Sequence, residues 1–319
     1  MHGRYAANMA EMECDVLFSI GTRFNDRITG DLNEFAPKAK IVHVDIDTAS
    51  ISRNVVVDVP VVSDASLALS HLVEWAEPMQ TSEWIEEIRD WQNEHPLKLK
   101  VSKGLNPQAI MEDIADIFGE ATYVTDVGQH QMWATQFLPL RGSSRLITSG
   151  GLGTMGFGYP AAVGAKAASR DRMVVALTGD GGFQMNMAEL ATSVCADIPV
   201  TICLFNNRYL GMVRQQQQYF YGKRYERTYL GKRPADAEHP DRIETADELY
   251  VPDFLKFVEA YGVKGIRVND EDDIVPALQE ARKAQLNGRS MLVEFEIAAE
   301  DVVLPMVKGG MPNSEMILK

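Results

Sequence analysis

The sequence predicts an α/β protein with two doubly wound parallel-sheet units, the first of them truncated at its N-terminus. Short apolar runs of strand length alternate along the chain with segments whose apolar residues recur at helical spacing. That alternation is typical of parallel sheets covered by helices on both faces. A polar stretch at residues 77–103 separates two regions of this kind, and 319 residues is a comfortable length for two domains.

The first unit is predicted from its apolar pattern. Two continuous apolar runs predict buried parallel strands, a third run is interrupted by an aspartate and a proline, and a segment of helical spacing follows: residues 15–20, 40–47, 55–62 and 66–75. We assign residues 1–78 to this unit. Residues 79–104 are polar and predict a linker that contains a helix around residues 84–91.

The second unit is assigned to residues 105–319, where strands and helices alternate again. Asn106 and Pro107 are the residue types that cap and begin a helix. Helices are predicted at residues 107–118, 185–195, 254–261 and 273–285, and strands at residues 123–127, 173–178, 200–205, 265–268 and 290–297.

The composition excludes several classes of protein. A formal net charge of −14 argues against a nucleic-acid-binding protein, because phosphate backbones favour basic surfaces. The sequence contains no apolar run of membrane-spanning length and no apolar N-terminal leader. Cys14, Cys195 and Cys203 have no metal-ligand spacing and indicate reduced thiols. We expect a cytoplasmic enzyme with no nucleic acid or membrane partner.

The chemistry is predicted where two neighbouring strands end. The strand at residues 173–178 runs directly into the sequence GDGG at residues 179–182, and the next strand ends at two asparagines, residues 206–207. Ligands of parallel sheets bind beyond the carboxyl ends of the strands. Asp180 and Asn207 would supply hard oxygen ligands suited to Mg²⁺, and a cation would let this acidic protein bind a diphosphate.

A second motif supports a different hypothesis, an NAD-dependent oxidoreductase. Residues 151–156 read G-x-G-x-x-G, and Asp180 ends the following strand, as in a dinucleotide-binding fold. Against this hypothesis, residues 145–149 make a poor strand, and Gly158 and Pro160 interrupt the helix that should begin there. The dinucleotide hypothesis also leaves the two asparagines unexplained.

At these motifs the chain resembles the large catalytic subunits of acetolactate (acetohydroxyacid) synthase, a thiamine-diphosphate enzyme family whose fingerprint is GDG followed by NN. The resemblance covers nearly the whole chain. It is carried by MHG at residues 1–3, GTRFNDR at 21–27, HVDID at 43–47, VGQHQMW at 127–133, GGLGTMGFG at 150–158, NNRYLGMV at 206–213 and LPMV at 304–307.

The resemblance implies a role for each matching residue. Asp180, Asn207 and the carbonyl of Tyr209 would bind Mg²⁺. Thiamine diphosphate would contact Gly128, Gln129, His130, Gly153, Met155, Gly179, Asp180, Gly181, Gly182, Asn207, Gly211, Met212 and Val213. Residues 1–78 would be part of a middle domain that binds FAD, through His2, Gly3, Arg23, Asp45 and Asp64. FAD has no redox role in the main reaction of this family.

The resemblance also implies the reaction and its partners. The family decarboxylates pyruvate and transfers the two-carbon unit to pyruvate or 2-oxobutyrate, in branched-chain amino acid biosynthesis. The glutamate that activates the cofactor lies in an N-terminal pyrimidine-binding domain with no counterpart in this chain. We therefore expect the isolated chain to be inactive and to need a homo-oligomer or a partner that carries that domain, with a small regulatory subunit as a further partner. An alternative is a non-catalytic module that binds the cofactor within an assembly.

Two departures from the family pattern bear on function. Gln216 stands where the family has a tryptophan that shapes the acceptor pocket, so a preference for 2-oxobutyrate is in doubt. Residues 231–250 are charged, carry two prolines and predict a solvated insertion beside the loop that would close over the site.

Overall fold

The computed structural model describes residues 1–231 and 252–319, which form two compact units. The smaller unit comprises Met1–Lys98 and Leu304–Lys319, and the larger comprises Leu99–Val303. Of the insertion predicted at residues 231–250, only Gly231 lies within the described residues. No helix in these two ranges is both long enough and apolar enough to cross a membrane.

The elements alternate as the sequence predicts. The strands are β1 (Val16–Ile20), β2 (Lys40–Asp45), β3 (Val59–Val62), β4 (Thr122–Thr125), β5 (Arg145–Thr148), β6 (Val174–Gly179), β7 (Thr201–Asn206), β8 (Lys264–Val268), β9 (Met291–Glu296), β10 (Met306–Val307) and β11 (Met316–Ile317). The helices are α1 (Tyr5–Glu13), α2 (Asp26–Thr29), α3 (Ala65–Trp75), α4 (Ser82–Glu94), α5 (Pro107–Phe118), α6 (Gln129–Phe137), α7 (Gly158–Ala168), α8 (Asp180–Asn186), α9 (Leu190–Cys195), α10 (Gly211–Phe220), α11 (Phe254–Ala260) and α12 (Ile274–Leu286).

The smaller unit contains a three-stranded parallel sheet in the order β1-β2-β3. Phe24, Phe35 and Ile41 form its small core. At the other end of the sequence, β10 and β11 pair as an antiparallel ribbon, and the amide of Val307 donates to the carbonyl oxygen of Met1 at 2.8 Å. The parallel sheet confirms the α/β prediction for this unit.

The predicted domain boundaries differ from the compact units at two places. Helix α4, predicted within a linker, packs against α1, and the ring of His95 stacks on Tyr5 with 3.7 Å between ring centroids. Residues 304–319 belong to the smaller unit because the ribbon pairs with its first residues. Sequence patterns miss both features because they depend on contacts between distant segments.

The larger unit contains a six-stranded sheet, all parallel, in the order β5-β4-β6-β7-β9-β8. Every residue of its central strands β6 and β7 is buried, as their continuous apolar sequences predict. Asn106 caps α5, since its side chain accepts a hydrogen bond from the amide of Gln108 at 2.9 Å. The carboxyl ends of β4, β6, β7 and β9 lie along one edge of this sheet.

Three predictions in this unit were wrong in detail. Residues 145–148, judged a poor strand, form the edge strand β5, whose residues are half-buried or exposed. Gly158 does not interrupt a helix but begins α7, where Pro160 occupies the first turn and needs no amide donor. The single helix predicted at residues 185–195 is α8, a 3₁₀ turn and α9, and α8 begins at Asp180 itself.

Candidate functional site

Asp180 lies where β6 ends and α8 begins. Its side chain is buried, and its two carboxylate oxygens accept hydrogen bonds from the amides of Gly181 at 2.9 Å and Arg208 at 2.7 Å. Burial raises the pKa of this carboxyl to about 7, and those two hydrogen bonds oppose the rise. A cation beside Asp180 would favour the carboxylate form.

The turn after β7 connects the two strand ends. The amide of Arg208 donates both to Asp180 Oδ2 and to Asn206 Oδ1, the second at 3.1 Å. Arg208 has a φ of 64°, in the left-handed region that non-glycine residues rarely adopt. The amide of Arg208 therefore links the ends of β6 and β7, where the sequence predicts the site.

Asn207 joins the predicted VGQH segment to this turn. Its Oδ1 accepts from the amide of Tyr209 at 3.0 Å, and its Nδ2 donates to Gln129 Oε1 at 3.2 Å. Gln129 begins α6 and is buried, and its own Nε2 donates to Gln215 Oε1 and to the carbonyl oxygen of Asp301. The structure thus brings Gln129 to Asn207, although 78 residues separate them.

Three of the predicted glycines, Gly181, Gly182 and Gly211, occupy positions where side chains approach closely. A Cβ at Gly211 would lie 2.0 Å from Gln129 Oε1, and one at Gly182 would lie 2.4 Å from Asp126 Oδ1. A Cβ at Gly181 would lie 2.9 Å from the side chain of Leu210, 3.3 Å from that of Leu230 and 3.5 Å from the terminal methyl of Met155. These contacts explain the need for glycine through packing, in addition to the cofactor contacts that the resemblance implies.

Asp126 is a buried residue of this site that the sequence reasoning missed. It follows β4, and its carboxylate accepts hydrogen bonds from the amides of Val127 at 2.7 Å, Gly156 at 3.0 Å and Gly158 at 2.8 Å. Asp126 therefore fixes the glycine-rich turn that carries Gly153 and Met155 against the end of β4. An acidic residue near the end of the strand predicted at residues 123–127 was the available signal.

The glycine-rich turn does not have the contacts expected of a dinucleotide site. The amide of Gly156, the last residue of the motif, and that of Gly158, the first residue of α7, donate to Asp126 and are therefore not available to a pyrophosphate. Asn186 Nδ2 in turn donates to the carbonyl oxygen of Gly156 at 2.8 Å. Hydrogen bonds with Asp126 and Asn186 thus fix the end of the G-x-G-x-x-G segment.

His130 lies beside the strand ends and is buried. Its ring stacks on Phe205 of β7, with 6.3 Å between centroids, and a Cβ at Gly179 would lie 3.0 Å from its Nδ1. Its Nε2 has no hydrogen-bond partner among the described residues. Burial lowers the pKa of His130 to about 4, while Asp126 opposes this shift, so the ring is neutral at pH 7.

The chain after Asn207 forms a hairpin-like loop that returns at residue 230. Tyr209 pairs with Tyr229, and the amide of Leu210 donates to the carbonyl oxygen of Thr228 at 2.8 Å. Arg214 of α10 lies between the rings of Tyr209 and Tyr225, with its guanidinium carbon 5.0 and 4.6 Å from their centroids. Met212, Val213 and Gln216 lie on α10 and are half-buried or exposed.

The oxygen atoms of Asp180 and of the residues around it are suitable ligands for a hard cation. The described residues contain no group of three or more His, Cys, Asp or Glu side chains that could bind a metal ion, so a cation here would need amide and carbonyl oxygens as well. Asn207 Oδ1 and both oxygens of Asp180 keep a further lone pair after the hydrogen bonds described above. Carboxylate, amide and carbonyl oxygens are suitable ligands for Mg²⁺.

The predicted flavin residues lie in the smaller unit. Arg23, Asp45 and Asp64 lie at or just beyond the carboxyl ends of β1, β2 and β3, which are neighbours in the sheet. Two of these side chains bond within their own turns. Asp45 accepts from the amide of Asp47 at 2.8 Å, and Asp64 caps α3 by accepting from the amides of Ser66 and Leu67.

The other two predicted flavin residues lie near the chain's first helix. The Nδ1 of His2 lies 3.2 Å from the carbonyl oxygen of Pro305, and burial lowers the pKa of His2 to about 4. A Cβ at Gly3 would lie 2.1 Å from Asn8 Oδ1, so close packing against α1 requires glycine there. These contacts give His2 and Gly3 structural roles that the sequence did not predict.

Comparison with known proteins identifies what the chain is similar to. Residues 126–295 match the sequence model described as "Thiamine pyrophosphate enzyme, C-terminal TPP binding domain". Residues 1–72 match the one described as "Thiamine pyrophosphate enzyme, central domain". The first match contains Asp126, Asp180 and Asn207.

Curated relatives extend this similarity to almost the entire chain. An "Acetolactate synthase large subunit" of Cyanidium caldarium is 38% identical over 325 residues, covering 99% of this chain and 52% of the relative. A "Probable acetolactate synthase large subunit" of Methanocaldococcus jannaschii is 41% identical, covering 97% and 51%. An "Acetolactate synthase" of Mycobacterium leprae is also 41% identical, covering 99% and 49%. The chain thus spans about half the length of the curated relatives it matches.

Proposed function

Because this chain belongs to the thiamine pyrophosphate enzyme family, we propose that its larger unit binds thiamine diphosphate with Mg²⁺ and takes part in acetolactate-synthase-type carboligation. Thiamine pyrophosphate and thiamine diphosphate are the same compound. The observation that carries the proposal is the single amide of Arg208, which joins Asp180 to the turn containing Asn207. The NAD-dependent alternative finds no support in the matched families or in the glycine-rich turn.

The proposed reaction joins two 2-keto acids with loss of CO₂. Two pyruvate molecules would give acetolactate, and pyruvate with 2-oxobutyrate would give the homologue with one more carbon. When bound, thiamine diphosphate supplies the electron sink that accepts the electron pair left by decarboxylation. The chain's own residues then have the tasks of binding, orienting and excluding water.

Asp180, Asn207 and the carbonyl of Tyr209 would hold Mg²⁺ against the diphosphate. Their support comes from the hydrogen bonds that already fix the turn at residues 206–209, so little freedom remains to be lost on binding. The cation would also offset the repulsion between a diphosphate and a chain of formal net charge −14.

Met155 and His130 would orient the rest of the cofactor. A Cβ at Gly181 would lie 3.5 Å from the methyl of Met155, so this apolar side chain lies close to the proposed diphosphate-binding segment. His130 is neutral at pH 7 and keeps one ring nitrogen without a partner in the described structure. That nitrogen is suited to a hydrogen bond with a bound ligand.

We propose FAD as a second ligand, bound at the carboxyl ends of β1, β2 and β3 beside Arg23, Asp45 and Asp64. Support comes from the parallel order of these strands and from the match to the central domain of the family. A yellow protein that releases flavin on denaturation would support this proposal. A colourless protein that does not bind added FAD would contradict it.

Turnover is proposed to require residues equivalent to the part of the relatives that this chain does not span. Another polypeptide segment or subunit would supply the glutamate that activates the cofactor. Detection of acetolactate from the purified chain with thiamine diphosphate, Mg²⁺ and pyruvate alone would contradict this part of the proposal.

The cofactor proposal is tested by equilibrium dialysis of the purified chain against thiamine diphosphate and, separately, NAD⁺. Each ligand is measured with Mg²⁺ and with a chelator. We expect saturable binding of thiamine diphosphate only with Mg²⁺ and no binding of NAD⁺. Saturable binding of NAD⁺ without binding of thiamine diphosphate would overturn the proposal.

A further inference from the structure

An ion pair joins Arg267 of β8 to Glu294 of β9. Glu294 is hydrogen-bonded to Asn206, the residue before Asn207 in the turn after β7. Glu294 is the fourth residue of β9 and is fully buried. The three residues before it in the strand and the one after it are apolar. Its Oε2 lies 3.0 Å from both Nε and Nη2 of Arg267, the residue paired with it on β8. Arg267 remains one-third exposed, so only the acidic member of the pair is removed from water.

The second oxygen of Glu294 connects this pair to the site. Asn206 Nδ2 donates to Glu294 Oε1 at 2.7 Å, and Asn206 Oδ1 accepts from the amide of Arg208. That same amide donates to Asp180. A continuous series of hydrogen bonds therefore runs across β8, β9, β7 and β6, from Arg267 through Glu294 and Asn206 to Asp180.

A purely structural account of this pair is insufficient. A buried carboxylate is expensive to desolvate, and apolar residues of similar size commonly replace such pairs without loss of stability. Here the oxygen that does not face Arg267 fixes the orientation of the Asn206 amide. That orientation presents an acceptor to the amide of Arg208, whose φ of 64° requires support from its surroundings.

We propose that Glu294 and Arg267 are positioning residues for the magnesium-binding turn, acting through Asn206. Arg267 holds the carboxylate of Glu294, Glu294 fixes the side-chain amide of Asn206, and Asn206 keeps the turn at residues 206–209 in the form that presents Asn207 and the Tyr209 carbonyl. Neither residue touches the cofactor. The inference rests on the proposed function, since it assigns a role toward the same cation.

The test measures the Mg²⁺ concentration that gives half-maximal binding of thiamine diphosphate, together with the melting temperature of the cofactor-free chain. We expect E294Q to raise that concentration about tenfold or more, the range seen when a partner of a metal ligand is removed. The matched control is E280Q. Glu280 forms an exposed ion pair with Lys264 at the start of β8, away from the turn at residues 206–209, so a change of less than about twofold is expected.

A second variant covers the case in which E294Q does not fold. R267K keeps the positive charge but loses the planar fork that contacts Glu294 through two nitrogens, and we expect about a threefold rise in the half-saturating Mg²⁺ concentration. A lower melting temperature with an unchanged Mg²⁺ requirement in the folded variants would overturn the inference and leave the proposed function intact. Absence of Mg²⁺-dependent binding by the unmodified chain would overturn both.

Discussion

The two parallel sheets use the polar residues at their carboxyl ends in different ways. In the six-stranded sheet, Asp180 after β6 and Asn206 of β7 both accept hydrogen bonds from the amide of Arg208, and Asn206 also donates to Glu294 of β9. In the three-stranded sheet, Asp45 and Asp64 accept amides from the two or three residues that follow them. The first edge is cross-linked between strands, and the second is capped locally.

This difference distinguishes strand ends whose side chains are already fixed relative to one another from strand ends that have only local caps. Local caps satisfy backbone amides and begin helices wherever a parallel strand ends. Bonds between strands fix several side chains relative to one another, which is what a ligand with several contacts requires. Substitutions at the cross-linked edge are therefore expected to have larger effects than substitutions at the locally capped edge.

Asp126 is expected to show the largest effect on stability. Replacement by alanine leaves the amides of Val127, Gly156 and Gly158 without their acceptor, and each such group costs roughly 1–3 kcal/mol when it remains buried. We expect D126A to lower the free energy of unfolding by at least about 3 kcal/mol, measured by urea denaturation. The control D116A removes an exposed ion pair with Arg141 and should change it by less than about 1 kcal/mol. Equal losses would contradict a special role for Asp126.

Two histidines with a lowered pKa, His130 and His2, allow a comparison by pH. His130 and His2 both have a pKa lowered to about 4 by burial, against 6.5 for an ordinary histidine. The unfolded chain therefore binds the proton first, and stability is lost as the pH falls from about 6.5 to about 4.

For His130, which is fully buried, this loss is on the order of 3 kcal/mol over the whole window. H130Q should remove that part of the pH dependence of the urea midpoint. H2Q should remove less, because His2 is only half-buried and water screens its charge. Equal slopes of stability against pH in H130Q and the unmodified chain would contradict the assignment.

Asp64 represents the locally capped edge. D64A removes the acceptor for two amides at the start of α3, and loss of a helix cap typically costs about 1 kcal/mol. We expect D64A to lower the free energy of unfolding by about that amount. D64N keeps a capping oxygen and should recover most of the lost stability. A loss as large as that of D126A would remove the distinction between the two edges.

Gln216 should show the smallest effect, on the choice of acceptor. Tryptophan at this position of α10 would restore an apolar surface for the extra methylene of 2-oxobutyrate, worth about 1 kcal/mol or roughly a fivefold change in product ratio. The measurement is the ratio of the two products formed by the complete assembly supplied with both acceptors. An unchanged ratio in Q216W would exclude residue 216 from the acceptor pocket.

The apolar pattern of the sequence was sufficient to predict the strands that are buried in the larger sheet. Strands β6, β7 and β9 are predominantly apolar, and each was predicted within one or two residues. Edge strand β5 and helices α6 and α10 were missed, because α6 and α10 are rich in glutamine and β5 lies at the sheet's edge. Contacts of Gln129 and Gln215 with distant backbone hold those two helices in place.

The candidate site was predicted only in part, for a related reason. Asp180 and Asn207 directly follow predicted strands, so their common edge could be inferred from chain direction alone. Glu294 and Arg267 enter the same network only because β9 lies between β7 and β8, and the order of strands in a sheet is not determined by local sequence. Glu294, a glutamate between the apolar residues Val293 and Phe295, was the local sign of such a partner.

The central claim is that Asp180 binds the cation that holds thiamine diphosphate at the cross-linked edge. The most direct measurement is calorimetric titration of thiamine diphosphate into the unmodified chain and D180A, with and without Mg²⁺, using D116A as the control. We predict Mg²⁺-dependent binding by the unmodified chain and D116A, and binding by D180A at least about a hundredfold weaker at the same Mg²⁺ concentration. Equal affinity of D180A and the unmodified chain would contradict the claim.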